Sequence, residues 1–362
     1  MKKYKTGIFV GKFFPLHNDH LKALNKICQL CEKVYLIFYN HEKIEEKLNL
    51  EGYIYYPIDK RIEDAKKICS TKNVTVVDFK VNKDYFFPTD YLKLKEDLFN
   101  QLKVKEIDLQ IFGEDDEVNY KDYIYANDYI TCPHTKLSEN VNLHASIIKP
   151  DLNKYANYLP SVVLESIKKL NKTKIVCISG KSGSGKNIIS EMIKRDFGDT
   201  VHIDIDILAH KALKNNFVKR KIDTVLNDNS IYDELGNIDR KKMGKIVFND
   251  KILQDKVYAI TWEYMNKEII KTIRENHKIV ILNWYNIINK NYWNENNIRI
   301  ITEKDYNERK QYVIKRDNIS PEYFELREKN ALNYDDVKCD IKIFDISEYN
   351  KELIQEMLNK NA

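Results

Sequence analysis

Lys174-Ile175-Val176-Cys177-Ile178-Ser179-Gly180-Lys181-Ser182-Gly183-Ser184-Gly185-Lys186-Asn187 decides how the C-terminal half folds. An apolar run of strand length enters a glycine-rich loop, and a helix-forming segment starts at 186. The spacing is G-x-x-x-x-G-K, that of a phosphate-binding loop. Glycines let successive backbone N–H groups turn inward. Those donors, the positive end of the next helix and the Lys186 charge would cradle phosphate oxygens. Gly180, Ser182, Gly183, Ser184, Gly185 and Asn187 are therefore the candidate ATP contacts, and Lys186 is a candidate catalytic cation. The competing reading is a Gly/Ser turn that happens to precede a helix. The chain has 10 glycines in 362 residues, and three of them fall within these few positions, which favours the loop. Position 187 departs from the pattern: a Ser or Thr hydroxyl there would hold Mg²⁺, whereas Asn offers an amide.

Outward from the loop, Ile203-Asp204-Ile205-Asp206-Ile207-Leu208-Ala209-His210 follows the next strand-like run. A carboxylate at a strand end can serve as a base toward a hydroxyl or as a magnesium partner, and it can equally cap the helix 207–214. Asn187 and Asp204 are the candidate metal ligands. Further strands are expected at 278–283, 298–302 and 339–344, and a terminal amphipathic helix at 347–360.

The N-terminal half has the same rhythm. Strands are expected at 6–10, 34–39, 74–79 and 108–112, and helices at 20–31, near 60–70 and at 91–103. Alternating strands and helices predict parallel sheets with crossover helices, with ligands beyond the carboxyl ends of the strands. The fold class is α/β with two parallel-sheet domains, 1–158 and 173–362, joined by a connecting helix over 159–172.

The first strand runs into Gly11-Lys12-Phe13-Phe14-Pro15-Leu16-His17-Asn18-Asp19-His20. His17 on the loop and His20 at the helix start can face one phosphate, neutral or charged, and Lys12 adds a cation. Half a metal site and ordinary surface histidines on a helix are the competing readings, and no Cys, Asp or Glu cluster nearby completes the first. Gly11 and Phe13 join the candidate ATP contacts.

The loop at 11–20 resembles the nucleotidyltransferase signature G-[RK]-F-x-P-x-H-x-G-H, with Asp19 where glycine is usual. Lys12 and Phe14 bring it nearer to the NadR-type nicotinamide mononucleotide adenylyltransferases than to the phosphopantetheine adenylyltransferases. The resemblance implies a Rossmann-like domain and attack by a mononucleotide phosphate on the α-phosphorus of ATP, with Mg²⁺ bridging phosphates. It extends through Arg61 as a phosphate contact and Tyr91 near a nicotinamide ring. It also takes in Asn142-Leu143-His144-Ala145-Ser146-Ile147-Ile148-Lys149, where Ser146 and Lys149 would hold triphosphate and His144 replaces a serine.

The second half resembles dephospho-coenzyme A kinase. The likeness rests on the loop, on Asp204 to His210, on Glu234-Leu-Gly-Asn-Ile-Asp239-Arg240 with Ile246-Val-Phe248, on Arg316-Asp317 and on Cys339-Asp340. It implies that Asp206 acts as base toward a ribose hydroxyl and that Arg316 clamps the transferring phosphate from a lid. Trp262-Glu263 and Asn283-Trp284-Tyr285-Asn286 depart from the family where the acceptor is held. Two alternatives stay open: a fused phosphopantetheine adenylyltransferase and dephospho-coenzyme A kinase (a coenzyme A synthase), and a regulatory nucleotide-binding protein with one or both domains inactive.

Composition limits the rest. Residues 1–160 carry 24 basic and 24 acidic side chains, so the net charge of +5 lies in the remainder. No basic run reaches five residues, which argues against nucleic acid as a partner and leaves small nucleotides. No apolar run spans a membrane, none at the start suits a signal peptide, and six scattered cysteines make no disulfide framework, so a cytoplasmic location is expected. Cys28-Gln-Leu-Cys31 reads as core, and Gly113-Glu-Asp-Asp-Glu117 as a solvated turn. The sequence is compatible with a homo-oligomer and does not set one.

Overall fold

The structure, a computed structural model, describes residues 2–360 except 248–249, 276, 290–291, 293–296 and 330. They divide into two compact units, one ending at Asn171 and one starting at Lys172. Phe248, part of the kinase-like match, lies outside the described residues.

The first unit runs β1 (Tyr4–Gly11), α1 (Asn18–Leu30), β2 (Cys31–Asn40), α2 (Glu42–Leu50), α3 (Ile58–Ile68), β3 (Val74–Lys80), α4 (Tyr91–Leu102) and β4 (Leu109–Gly113). It continues with α5 (Glu117–Tyr120), β5 (Asp128–Cys132), β6 (Lys136–Ser138), β7 (Val141–Asn142), α6 (Ala145–Ile148) and α7 (Ser161–Leu170). Five strands form one sheet in the order β3-β2-β1-β4-β5, and every neighbouring pair is parallel. Val34 to Phe38 is buried throughout, as a strand covered on both faces must be. Leu24 and Ile27 of α1, Ala65 of α3, and Val163 and Ile167 of α7 pack one face onto Phe9, Leu36 and Phe38. Leu94 and Leu98 of α4 cover the other over Ile8, Ile37 and Phe79. Helix α7 is therefore part of this unit's core. The strand order reverses between β1 and β4, so the chain leaves those two strands in opposite directions and opens a crevice at their carboxyl ends.

The second unit runs β8 (Lys174–Ser179), α8 (Lys186–Asp196), β9 (Thr200–Asp204), α9 (Ile205–Lys214), α10 (Asn216–Leu226), α11 (Arg240–Val247), α12 (Lys251–Arg274) and β10 (Ile279–Asn283). Then come β11 (Asn297–Thr302), α13 (Tyr306–Asp317), α14 (Pro321–Lys329), β12 (Ile341–Ile343) and α15 (Lys351–Lys360). The sheet order is β12-β11-β8-β10-β9, again all parallel. The central strand β8 delivers the 180–185 loop between the ends of β10 and β11. Helices α9 to α12 build their own apolar cluster from Leu213, Val218, Ile222, Met243 and Val257.

The α/β class with two parallel sheets is as expected. Asp204 ends β9 and caps α9 through its Oδ1, which accepts the N–H groups of Asp206 (2.9 Å) and Ile207 (3.2 Å), so the helix begins at Ile205 and not at 207. The terminal helix starts at Lys351, after Asp345 and the turn it caps. Helices α2 and α10 to α14, strand β5 and the β6–β7 hairpin lie outside the elements expected from the sequence; for β5, Asp128-Tyr-Ile-Thr-Cys132 is too short an apolar run to announce a strand. Among the described residues no helix is long and apolar enough to cross a membrane.

Candidate functional sites

The crevice of the first unit is a cavity of about 880 Å³, lined in part by Gly11, Lys12, Phe13, His17, His20 and Ser146. After β1 the chain turns through Phe13, which takes φ 47°, a backbone region unusual for a residue with a side chain. Its ring packs edge-on to His20 at 5.1 Å. His17, only 2% exposed, stands at the N-cap position of α1, and its ring lies 3.7 Å from that of His20. The Nδ1 of His20 accepts the His17 backbone N–H at 3.2 Å. In a neutral ring this leaves the proton on Nε2, as a donor. Burial pushes the His17 imidazole down to about 4, with Asp19 partly opposing. Burial, with His17 beside it, puts His20 well below its ordinary value. Both rings are thus neutral at pH 7. The Nδ1 of His17 is buried without a hydrogen-bond partner.

Asp19 does not confront an incoming phosphate unpaired. Burial raises its carboxyl, but the Thr135 hydroxyl and N–H and the Lys22 ammonium outweigh that and hold it below the usual range. Arg61 and Lys149, read as phosphate contacts, are both buried and already paired, with Glu45 and Glu51 respectively. Both sit over the Phe14 ring, at 5.1 and 5.2 Å, and Arg61 also donates to the Lys12 carbonyl. Tyr91 stands behind the cavity wall. It packs on Tyr123 and Tyr125, which do line the cavity, together with Tyr85, Phe86 and Phe87. Cys31 is core, its thiol pushed up to about 11 by burial.

In the second unit the phosphate loop is braced from below and from the side. Gly183 takes φ 81°, and a Cβ there would meet Val313 Cγ2 at 2.8 Å. Gly180 and Gly185 are also at positive φ. The Ser184 hydroxyl is turned into the sheet onto Thr302 Oγ1 (2.7 Å). Lys186 Nζ donates to the carbonyls of Gly180 (2.9 Å) and Lys181 (3.1 Å). Burial lowers its ammonium to about 8, with the Asp206 charge opposing. Asp206 lies exposed in the first turn of α9. Arg316 reaches the loop tip, its NH2 3.4 Å from the Ser182 hydroxyl. The Asn187 amide donates to Asp204 Oδ2 (3.2 Å), and its carbonyl accepts from Asn283 (2.5 Å). Asp204 Oδ1 is spent on the α9 cap. Each side-chain oxygen of this pair thus accepts from a nitrogen donor, Asp204 Oδ1 from two.

Residues 174–338 match the family model described as dephospho-CoA kinase. A dephospho-CoA kinase of Aquifex aeolicus is 30% identical over 161 residues, 44% of this chain and 81% of the relative. The chain belongs to the dephospho-CoA kinase family. Among solved structures, TT1252 from Thermus thermophilus is 18% identical, with a TM-score of 0.41 over 52% of this chain and 95% of that one. A NadR protein in complex with NAD and AMP-PNP is 15% identical, with a TM-score of 0.35 over 99% of this chain and 88% of that one. Likeness at that level says nothing about what this chain does.

The family match ends before α15 and leaves the first unit uncovered. Within the dephospho-CoA kinase unit, two residues quoted for the resemblance meet: Arg240 donates to His210 Nε2. Trp262 and Trp284 stack at 5.5 Å, and Tyr258 stacks on both, which makes an aromatic wall next to Tyr285. Sequence reasoning found Arg316 and missed two arginines that share its target. Arg327 NH2 donates to the Ser182 hydroxyl (3.2 Å). Arg309 NH1 donates to the Ser182 carbonyl (3.2 Å) while its guanidinium grips Glu328 at 2.7 and 2.9 Å. The signal available was the seven-residue spacing of Arg309 and Arg316, which puts both on one helical face.

Proposed function

We propose that the first unit transfers the adenylyl group of ATP to nicotinamide mononucleotide and that the second transfers the γ-phosphoryl group of ATP to a ribose hydroxyl, that of dephospho-coenzyme A. The observation that carries the first part is the neutral pair His17 and His20 at the end of β1, in a cavity with an aromatic wall. A mononucleotide phosphate oxygen attacks the α-phosphorus in line, and pyrophosphate leaves. Charge spreads onto the leaving oxygens, where Nε2–H of His20, the His17 ring and Lys12 are the donors. The aromatic side chains give a base or nicotinamide ring a face to stack on. ATP binding in the second unit rests on the 180–187 loop and Lys186. Asp206 is the base that takes the hydroxyl proton, and Arg316 neutralises the transferring group.

A second reading has one observation in its favour, and only for the kinase unit. The Asn187–Asp204–Asn283 network stands where a magnesium ligand is needed, which suits a nucleotide-binding module without turnover.

The test follows pyrophosphate and ADP with ATP, Mg²⁺ and, separately, nicotinamide mononucleotide, phosphopantetheine and dephospho-coenzyme A. Pyrophosphate only with the nicotinamide compound and ADP only with dephospho-coenzyme A are the expected results. His20→Ala should cut pyrophosphate release about 100-fold or more and spare ADP, and Lys186→Ala should do the reverse. Pyrophosphate only with phosphopantetheine would make the chain a coenzyme A synthase. Bound ATP without ADP would leave the kinase unit regulatory.

A further inference from the structure

The acidic run after β4 is an exposed turn, as its composition suggests, and from it Asp115 reaches a pair of histidines. Asp115 lies in a tight turn at Glu114–Asp116, on the crevice side of the sheet. Its Oδ2 stands 3.5 Å from His144 Nε2 and 4.0 Å from His134 Nε2. The two imidazoles face each other, ring centres 4.6 Å apart. Three residues from three separate segments therefore bring one nitrogen, one nitrogen and one carboxylate oxygen within 4.8 Å of one another. Both histidines also line the cavity.

Three further observations treat this as a built site. First, His134 is only 12% exposed, and neither ring nitrogen has a hydrogen-bond partner. A buried imidazole left so costs about 1–3 kcal/mol, unless something binds it. Second, its far nitrogen Nδ1 points at Asp19 Oδ2, 3.7 Å away, and Asp19 is locked in place by Thr135. Carboxylate behind imidazole behind ion is the arrangement that orients a metal-bound histidine. Asn142 does the same for Asp115, donating to Oδ2 at 2.7 Å. Third, the approach of His134 depends on Gly113: a Cβ there would lie 2.5 Å from His134 Nε2. Asp19 and His144, the two departures from the nucleotidyltransferase pattern, thus serve one cluster.

We propose that Asp115, His134 and His144 bind a divalent transition ion of the zinc type, through Asp115 Oδ2 and the two Nε2 atoms, with Asp19 as the residue that positions His134. Tetrahedral ligands at about 2.0–2.1 Å from Zn²⁺ lie about 3.3 Å apart, so Asp115 Oδ2 needs to close on the two nitrogens by about 0.2 and 0.7 Å, and the nitrogens on each other by no more than about 1.5 Å. Two imidazoles and a carboxylate suit Zn²⁺ or Co²⁺ and disfavour Mg²⁺, which wants oxygen ligands. Three protein ligands leave a position open to water or to an oxyanion in the cavity. The site is independent of the reaction proposed above.

The test uses the full chain, stripped with a chelator and titrated with Co²⁺ and then Zn²⁺, with no nucleotide present. One equivalent of Co²⁺ should bind, with a visible d–d band, and Zn²⁺ should displace it. His144→Ser and Asp115→Asn lie at half-exposed positions and should keep the far-ultraviolet circular dichroism of the parent. Each should weaken binding by about 100-fold or more, and Asp19→Asn by about 10- to 100-fold. Absence of binding to the parent chain would overturn the proposal. So would affinity unchanged in His144→Ser and Asp115→Asn, or lost in His17→Ala alone. A chain that binds the ion yet releases no pyrophosphate would uphold this site and defeat the adenylyl-transfer reading.

Discussion

His17 is held neutral at some expense to the protein that carries it. Its ring is buried at the end of β1, and burial holds its pKa at about 4 against an ordinary 6.5. The His20 ring lies against it at 3.7 Å. The charges of Asp19, His134, His144 and Lys22 act on it, and of these only Asp19 favours the charged form. Because the folded value is the lower one, the unfolded chain binds more protons between pH 6.5 and about 4. Stability is therefore complete above the unfolded value and falls as the solution is acidified through that window. The full effect is about 3 kcal/mol, of which about 2 kcal/mol is gone by about pH 5. Urea unfolding at about pH 7.5 and about pH 5 measures it: His17→Asn should lose about 2 kcal/mol less on acidification than the parent chain. An equal loss in both proteins would mean that His17 titrates as it does in water.

The phosphate loop depends on elements that come more than 120 residues later. Helices α13 and α14 send Arg309, Arg316 and Arg327 to Ser182; Arg316 and Arg327 share Asp317, and the buried one is Arg309. Its partner Glu328, on α14, is itself largely buried and also holds Lys181 at 3.5 Å. Removing one member of a buried pair strands the other charge, at about 3–5 kcal/mol. Glu328→Ala should thus destabilise the dephospho-CoA kinase unit by about 3 kcal/mol in chemical denaturation and raise the KM for ATP in ADP formation. Pyrophosphate release by the first unit should not change. Asp305, by contrast, only caps α13 through the N–H groups of Asn307 and Glu308, and its loss should cost about 1 kcal/mol.

The two units each have their own sheet and core, and the dividing point lies after α7. The Asn171 side chain pairs with both backbone groups of Tyr55, at 2.7 and 2.9 Å, and ties the end of α7 to the first unit. Leu159, Val163 and Ile167 are buried in that core. A fragment ending at Asn171 should unfold cooperatively, whereas one ending at 158 gives up those three side chains, worth ~1.5–3 kcal/mol each, or roughly 5 kcal/mol together. Urea midpoints of the two fragments read the difference directly. Equal midpoints would make α7 a linker.

Much of this architecture is legible in the chain alone. Apolar runs such as Ile175 to Ile178 and Val34 to Phe38 announce central strands, because a strand covered on both faces cannot alternate. The loops at 11–20 and 180–187 stand out because what marks them is local: spacing, glycine and the start of a helix. The partners of those loops are a different matter. Arg309 on Ser182, Glu51 on Lys149, and the meeting of Asp115, His134 and His144 join residues that lie 10 to more than 120 positions apart. No spacing rule reaches that far, since sheet order and crossover decide which strand ends become neighbours. Local geometry is written in neighbouring residues, but the ionic and metal-ligating company of a side chain exists only once the sheet has closed.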